Sequence, residues 1–325
     1  MVQITNNAKA FFGAAILVGL FSLALSLSGV FGDDKNQAGI VAGDTFTPAP
    51  QGESPAPAIG GTVPPSSGVT VAPSSAPSSE PIAAAIDVPI LMYHQVLPEL
   101  PADEFDAVLT VTDAALTEQI QYLKCAGFTA ITMEQLFAAF DGRGLLPEKP
   151  VILTFDDGWS DHYTDAFPIL QAQGVVGSFG ISTGFIEAGG PYMTWAQIKV
   201  MSDAGMEITS HSVSHVDLGT SDDATVIDQV QTSKAVLEER TGKPVQFLVY
   251  PSGEPFRSGT EERQAQVVQM LADAGYRGAL LAGPNSVTQD PAMPYALNRV
   301  RVSGGEDIYT FAGSIYGPSP DSLSC

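Results

Sequence analysis

The chain has 325 residues, of which 14 are Lys or Arg and 36 are Asp or Glu, giving a formal net charge of −22. This excess of acid argues against nucleic acid as a partner, because phosphates are bound by Lys and Arg, and against adsorption to anionic lipid. The length suffices for one large α/β domain with accessory segments.

An apolar run without a charged side chain extends from Ala10 to Phe31. As a helix it spans about 33 Å, which matches a hydrocarbon core of roughly 30 Å. Lys9 precedes the run and Asp33 follows it, so the charge bias predicts an inner N-terminus with the rest of the chain outside. We interpret residues 1–32 as a single-pass membrane anchor. A signal segment cleaved near residues 24–26, which would leave a secreted protein, is the alternative.

Residues 33–85 are dominated by Pro, Ser, Ala, Gly and Thr and carry no apolar period. Such a stretch does not bury enough surface to offset its ordering entropy. The sequence therefore predicts a disordered linker between the anchor and a folded domain at 86–325.

Within 86–325, short apolar runs alternate with segments of helical period, several of which end at Gly. This alternation predicts a parallel sheet covered by helices, an α/β fold that closes or nearly closes into a barrel. Strands are predicted at 88–95, 150–155, 175–181, 206–209, 245–250, 278–281 and 296–302, and helices at 116–126, 163–173, 195–204, 224–240 and 262–274.

Two acidic residues, Asp156 and Asp157, directly follow the apolar strand at 150–155. Adjacent carboxylates repel each other unless a cation relieves them. Because neighbouring side chains of an extended backbone point apart, the two can serve different purposes. Gly158 permits a sharp turn, and an ordinary solvated turn is the alternative interpretation.

Two of the four histidines, His211 and His215, lie four residues apart directly after the strand at 206–209. On a helical turn this spacing places both imidazoles on one side, where they can bind one ion. Two histidines that only cap a loop are the alternative. A carboxylate with two imidazoles is a common ligand set for a catalytic transition metal, and both motifs follow strands of the same predicted sheet.

With these motifs, Thr154–Gly158 and Ser210–His215, the sequence resembles the NodB-homology polysaccharide deacetylases, which are metal-dependent carbohydrate esterases. The resemblance covers Val88 to Val302 and includes the segments Tyr192–Trp195 and Gly205–Ile208. It implies a distorted or incomplete (β/α) barrel, with chemistry at the carboxyl ends of the strands.

Carried over by residue, the resemblance makes Asp156 the general base and Asp157, His211 and His215 the metal ligands. Zinc is the expected metal, with cobalt, nickel or manganese as alternatives. The segment after the strand at 245–250 resembles the third motif of the family, which implies that the Tyr250 backbone N–H stabilises the oxyanion.

The sequence departs from the family pattern at two places. The third motif lacks its Arg, and Leu297-Asn298-Arg299 stands where better-known members have Leu-x-His, the source of the general acid. We expect Arg299 to orient Asp156 in place of the missing Arg. His94 is expected to assist acid catalysis or to bind substrate, with a core histidine as the alternative.

Other residues receive simpler interpretations. Trp159 and Tyr192 are candidates for stacking on sugar rings. His162 is expected on the solvated surface, Cys125 in the core and Cys325 on a mobile tail, with no spacing that indicates a disulfide.

The predicted function is removal of N-acetyl groups from an extracellular or cell-envelope polysaccharide. The form of the third motif, with Leu91–His94, resembles the subgroup that acts on poly-N-acetylglucosamine. An O-acetyl carbohydrate esterase and a non-catalytic glycan-binding module are the alternatives, and the base beside a metal set argues against the latter.

Overall fold

The structure is a computed structural model that describes residues 81–325. The predicted anchor at 1–32 and nearly all of the predicted linker lie outside the described residues. From 81 onward, no helix is both long enough and apolar enough to cross a bilayer.

The domain contains twelve strands, and most of those in its central sheet coincide closely with predicted ones. In chain order they are β1 (Ile86–Asp87), β2 (Ile90–Tyr93), β3 (Gln95–Leu97), β4 (Thr110–Thr112), β5 (Thr129–Ala130), β6 (Pro150–Phe155), β7 (Ser178–Ile181), β8 (Glu207–Ser210), β9 (Phe247–Val249), β10 (Gly278–Pro284), β11 (Thr288–Gln289) and β12 (Leu297–Arg301).

Seven of these strands close into a parallel barrel. The order around the ring is β2, β12, β10, β9, β8, β7 and β6, and β6 pairs with β2 to complete it. Strand β5 adds to β6 outside the ring, while β1 pairs with β11 and β3 with β4 in two small separate sheets. The predicted (β/α) barrel is confirmed.

Eight helices belong to the same domain. They are α1 (Glu104–Leu109), α2 (Asp113–Cys125), α3 (Met133–Phe140), α4 (Phe167–Gln173), α5 (Trp195–Asp203), α6 (Asp223–Thr241), α7 (Glu261–Asp273) and α8 (Ile308–Ser314). A π-helical turn, His162–Ala166, leads into α4, and 3₁₀ turns occur at Pro251–Gly253 and Pro320–Ser322.

Capping residues explain most of the helix boundaries. Thr132 and Thr194 form capping boxes at the starts of α3 and α5. The predicted helical stop at Gly174 is a left-handed C-cap with φ of 66°. Gly242 caps α6 in the same way, with φ of 71°. Helices α1, α3 and α8 were not predicted, since each is short and has little room for an apolar period.

The hydrophobic core consists of two buried clusters that are separated by the strands of the barrel. Along β6, Val151, Leu153 and Phe155 belong to one buried cluster, while Ile152 belongs to a second. This period of two places the clusters on opposite faces of the strands. The second cluster contains side chains of α3, whose Phe137 ring lies 4.8 Å from that of Phe247 on β9.

The two cysteines form a disulfide across 200 residues of sequence. It joins Cys125 at the end of α2 to Cys325, and the Tyr122 hydroxyl donates a hydrogen bond to the Pro318 carbonyl beside it. The expectation of an unpaired core cysteine and a mobile tail is therefore wrong. Sequence spacing does not report this contact, because it depends on where the tail packs.

Candidate active site

A cleft of about 550 Å³ contains most of the residues that the motifs indicated. Asp156, His211 and Tyr250 directly follow β6, β8 and β9, so the cleft lies at the carboxyl ends of the barrel strands. Its lining consists of His94, Phe105, Val108, Leu109, Asp156, Asp157, His211, His215, Tyr250, Ser252, Arg257, Ala282, Arg299 and Arg301.

Asp156 is held by a buried ion pair with Arg299. The guanidinium Nη1 donates to the carboxylate Oδ1 at 2.8 Å, and both side chains are almost fully buried. The same nitrogen donates to Thr154 Oγ1 at 3.1 Å, and Nε donates to the Leu281 carbonyl. The structure thus places Arg299 against Asp156, the position that the sequence expectation requires.

The ion pair determines the protonation state of Asp156. Burial raises the pKa of this carboxyl, but Arg299 and then His211 lower it further than burial raises it, and the net pKa is below the ordinary value. Asp156 is therefore a carboxylate at neutral pH, the state that a general base needs.

Asp157, His211 and His215 converge on one point. The Asp157 Oδ1 lies 3.3 Å from His211 Nε2 and 3.5 Å from His215 Nε2. One ligand atom from each residue lies within 4.8 Å of the other two. The Trp159 indole donates to the other Asp157 oxygen at 2.9 Å and so orients the carboxylate.

Several residues of this site have strained backbone conformations, which orient the side chains of the ligand set. Asp157, Ser212 and His215 have φ of 82°, 64° and 55°, although none is glycine. Such conformations cost on the order of 1 kcal/mol or more and persist where the surroundings hold them. The Gln229 side chain of α6 accepts from the backbone of residues 213 and 214, which stabilises the loop between the histidines.

These residues fit a divalent transition metal. His211 Nδ1 donates to the Val249 carbonyl at 2.8 Å, which leaves a lone pair on Nε2, the nitrogen that faces Asp157. Burial disfavours the His211 imidazolium, yet the neighbouring Asp157 and Asp156 raise its pKa above the ordinary value. The pocket thus favours a positive charge at the position that a metal would occupy.

His94 lines the same cleft. Its Nδ1 is buried and has no hydrogen-bond partner among the described residues. Burial lowers its pKa to about 4, although Asp156 and Asp157 oppose the change. A neutral imidazole supplies no acid proton at neutral pH, so of the two roles predicted for His94 the lowered pKa favours a contact with substrate.

The prediction for Tyr250 requires a correction. Its backbone N–H donates to the Leu280 carbonyl of β10 at 3.1 Å, so it is not free to bind an oxyanion. The hydroxyl donates to the Tyr295 carbonyl, and the ring is fully buried. Two residues later, Ser252 is exposed in the cleft with φ of 55°, and its N–H takes part in none of the hydrogen bonds found from residue 81 onward.

The expectation for His162 fails, whereas that for the two aromatic residues stays open. His162 is fully buried rather than solvated, and Nε2 donates to the His94 carbonyl at 2.6 Å. The His162 ring packs against the ring of Phe155, the last residue of β6. The sequence pattern of that strand did not indicate this contact. Trp159 and Tyr192 stack on each other at 4.7 Å and lie outside the lining of the cleft, and their stacking on a sugar ring stays a prediction.

One wall of the cleft comes from α1, which sequence reasoning missed. Phe105 and Val108 line the cleft and are 73% and 48% exposed. The loop after β12 holds this helix, since the Gly304 N–H donates to the Val108 carbonyl at 3.1 Å. A Cβ at residue 304 would lie 1.8 Å from the Ala107 carbonyl oxygen, so only glycine permits this approach.

We expect Gly304→Ala to move α1 away from the cleft. The added methyl must displace backbone, which costs roughly 1–3 kcal/mol of stability, and the altered wall should raise KM more than it lowers kcat. Chemical denaturation and steady-state kinetics measure the two effects. Gly313→Ala in α8 is the control, because its added Cβ meets no atom within 4 Å. Equal behaviour of the two variants would contradict the assignment.

Comparison with known proteins connects this geometry to a family. Residues 143–279 match the family model for polysaccharide deacetylase. The Bacillus subtilis protein YxkH is 26% identical to this chain, over 73% of this chain and 77% of the YxkH chain. The name of YxkH assigns it provisionally to the polysaccharide deacetylases. Poly-β-1,6-N-acetyl-D-glucosamine N-deacetylase of Escherichia coli is 42% identical over 25% of this chain but 12% of its own.

Solved structures give the same result. The Streptococcus pyogenes deacetylase PplD, in complex with acetate, superposes with a TM-score of 0.63 at 25% identity, over 71% of this chain and 98% of the other. The polysaccharide deacetylase BC0361 of Bacillus cereus gives 0.60 at 25% identity, over 71% and 69%. The enzymatic interpretation is therefore confirmed over that of a non-catalytic glycan-binding module, and the comparisons identify residues 143–279 as a polysaccharide deacetylase domain.

Proposed function

We propose that this deacetylase removes N-acetyl groups from an extracytoplasmic polysaccharide by metal-dependent hydrolysis. The observation that carries the proposal is the ionised, buried Asp156 beside the convergent Asp157, His211 and His215. A base next to a ligand set with open positions is the arrangement that metal-assisted hydrolysis requires.

The metal is proposed to be zinc, which suits one carboxylate and two imidazoles, although cobalt, nickel and manganese are bound by similar sets. When bound, such an ion supplies Lewis-acid activation of the acetyl carbonyl and of the attacking water.

The remaining steps belong to the chain itself. Asp156 takes a proton from water as the water oxygen adds to the acetyl carbon. The Ser252 N–H is proposed to donate to the developing oxyanion, since it is an unengaged backbone donor of the loop after β9 on a residue that lines the cleft. As the C–N bond breaks, the proton held by Asp156 passes to the leaving amine, and acetate is released.

The location outside the cell membrane is a proposal that rests on two features. The apolar run at residues 10–31 is proposed to anchor the chain or to direct its export. The disulfide between Cys125 and Cys325 supports this, because disulfides persist in oxidising compartments and are rare in the cytosol.

Acetate release from N-acetylglucosamine oligomers, compared with release from acetylated xylan, tests the proposal. An N-acetyl hydrolase should act on the first substrate, whereas the alternative O-acetyl esterase should prefer the second. Activity should disappear with a chelator and return with added zinc.

We expect Asp156→Asn to lower kcat by roughly 10²–10⁴-fold, because the variant loses the base, while bound metal is retained. Asp203→Asn, which removes an exposed carboxylate on α5, is the control and should match the wild type. Full turnover by Asp156→Asn would refute the role of base.

A further inference from the structure

We propose that Arg257 and Arg301 bind a carboxylate group of the substrate, which makes an acidic N-acetylated glycan the preferred ligand. The inference rests on the proposed function, because it concerns the same cleft.

The two arginines reach the cleft from different elements, a strand and a loop. Arg301 ends β12 and lies two residues after Arg299, so strand alternation directs both side chains to the interior face of the barrel. Arg257 belongs to the loop after β9 and is anchored by its N–H, which donates to the Gly253 carbonyl at 3.0 Å. Both line the cleft that contains Asp156 and the metal ligands.

Neither guanidinium has an anionic partner. Throughout residues 81–325, neither guanidinium takes part in an ion pair or a hydrogen bond, although Asp and Glu outnumber Lys and Arg by 36 to 14 in the chain. The Arg301 contact with the Asn285 side chain is made by the backbone N–H. Of the other five arginines in these residues, Arg143, Arg263, Arg277 and Arg299 have carboxylate partners, and Arg240 lies over the Trp195 ring.

The carboxylates inside the cleft are already engaged. Asp156 is paired with Arg299, and Asp157 faces the two histidines. Burial lowers the pKa of Arg301; Asp156 opposes this, and the charges of Arg299 and Arg257 add to the effect of burial. Uncompensated positive charge therefore remains at this side of the cleft, and an incoming anion would balance it.

A carboxylate fits this position by chemistry. Guanidinium groups bind carboxylates through paired N–H donors, and two arginines from separate elements can hold one such group from two directions. The exposed Phe105 and Val108 of α1 supply apolar contact for a sugar ring in the same cleft. A glycan that carries both N-acetyl and carboxylate groups meets all of these surfaces.

The test compares two forms of one glycan by equilibrium binding. Peptide-free strands that contain N-acetylmuramic acid are used intact and after reduction of the lactyl carboxylate to an alcohol. The wild-type protein, loaded with zinc, should bind the acidic form about 25-fold more tightly than the reduced form. Arg257→Gln and Arg301→Gln should each lower this ratio about fivefold, and the double variant should abolish it. Added salt should weaken the preference.

Arg143→Gln is the matched control, because it removes an equal charge from an exposed position outside the cleft and should keep the ratio. Equal binding of the two glycan forms by the wild type, or an unchanged ratio in the double variant, would overturn the inference. Binding is measured beside acetate release, so a preference for the acidic form without any acetate release would refute the proposed function and leave this inference standing.

Discussion

Replacement of His211 by Ala is expected to abolish both metal binding and acetate release. His211 is buried, and its hydrogen bond to the Val249 carbonyl leaves Nε2 as the nitrogen that can bind a metal. The Ala side chain of the variant offers no ligand atom in its place. The loss should lower kcat/KM by about 10³-fold or more, equivalent to at least about 4 kcal/mol of transition-state stabilisation.

The same variant has a readout that does not depend on activity. Zinc at 100 times its dissociation constant should raise the unfolding free energy of the wild type by about 2.7 kcal/mol, because it binds the native state. The increase should be absent in His211→Ala. Denaturant titration with and without zinc, together with elemental analysis of the purified proteins, measures it.

His94→Gln is the matched control for the metal experiment. His94 lines the cleft but is not part of the convergent ligand set. This variant should keep the zinc-dependent stabilisation while its KM rises through loss of a substrate contact. Loss of zinc binding by His94→Gln, or its retention by His211→Ala, would show that the ligands are assigned wrongly.

Replacement of Arg299 by Gln is expected to lower the free energy of unfolding far more than replacement of an exposed arginine does. It leaves the Asp156 carboxylate buried without its partner, and breaking such a pair costs about 3–5 kcal/mol. By contrast, Arg143→Gln removes exposed ion pairs and should cost less than about 1 kcal/mol. Chemical denaturation of metal-free protein compares the two variants.

The pH dependence separates a charge effect from lost packing. In the wild type the pKa of Asp156 is below its ordinary value, so its contribution to stability is present above the unfolded pKa and is lost as pH falls through the folded pKa. In Arg299→Gln, burial without the cation raises the pKa of Asp156, and the variant gains relative stability as the carboxyl becomes protonated. The difference between variant and wild type should therefore shrink from neutral pH toward about pH 5.

Activity should also change in Arg299→Gln. A base with a raised pKa is protonated over more of the pH range, so the acidic limb of the kcat/KM profile should shift to higher pH. A constant stability difference across pH, with an unshifted profile, would mean that Arg299 acts only through packing.

Local patterns account for how much of the fold could be predicted. The run from Pro150 to Phe155 is apolar except for Thr154, and β6 has the same bounds as its prediction. Helix α6 runs from Asp223 to Thr241, one residue beyond its predicted bounds at each end, because Asp222 and Gly242 cap it. Short elements such as α1 were missed, because fewer than two helical turns display no period.

The candidate site likewise contains residues that sequence motifs indicate and residues that they do not. The paired acids after β6 and the two histidines after β8 are visible as motifs, because each is contiguous in sequence and follows a strand of the barrel. Alternation along β12 could have indicated Arg301 once Arg299 was assigned to the interior. No sequence motif indicates the free N–H of Ser252. Which N–H groups of this loop are free depends on the register between β9 and β10, because that register pairs the N–H of Tyr250 with the Leu280 carbonyl.

By itself, the sequence determined the order of strands and helices, the ligand motif and the acidic character of the chain, all of which are encoded by neighbouring residues. Only the tertiary structure decided what meets across long separations. Closure of β12 and β6 onto β2 brings Arg299 to Asp156 across 143 residues, and packing of the tail joins Cys125 to Cys325. Such contacts follow from the geometry of a closed barrel, in which each strand meets neighbours that are distant in the chain.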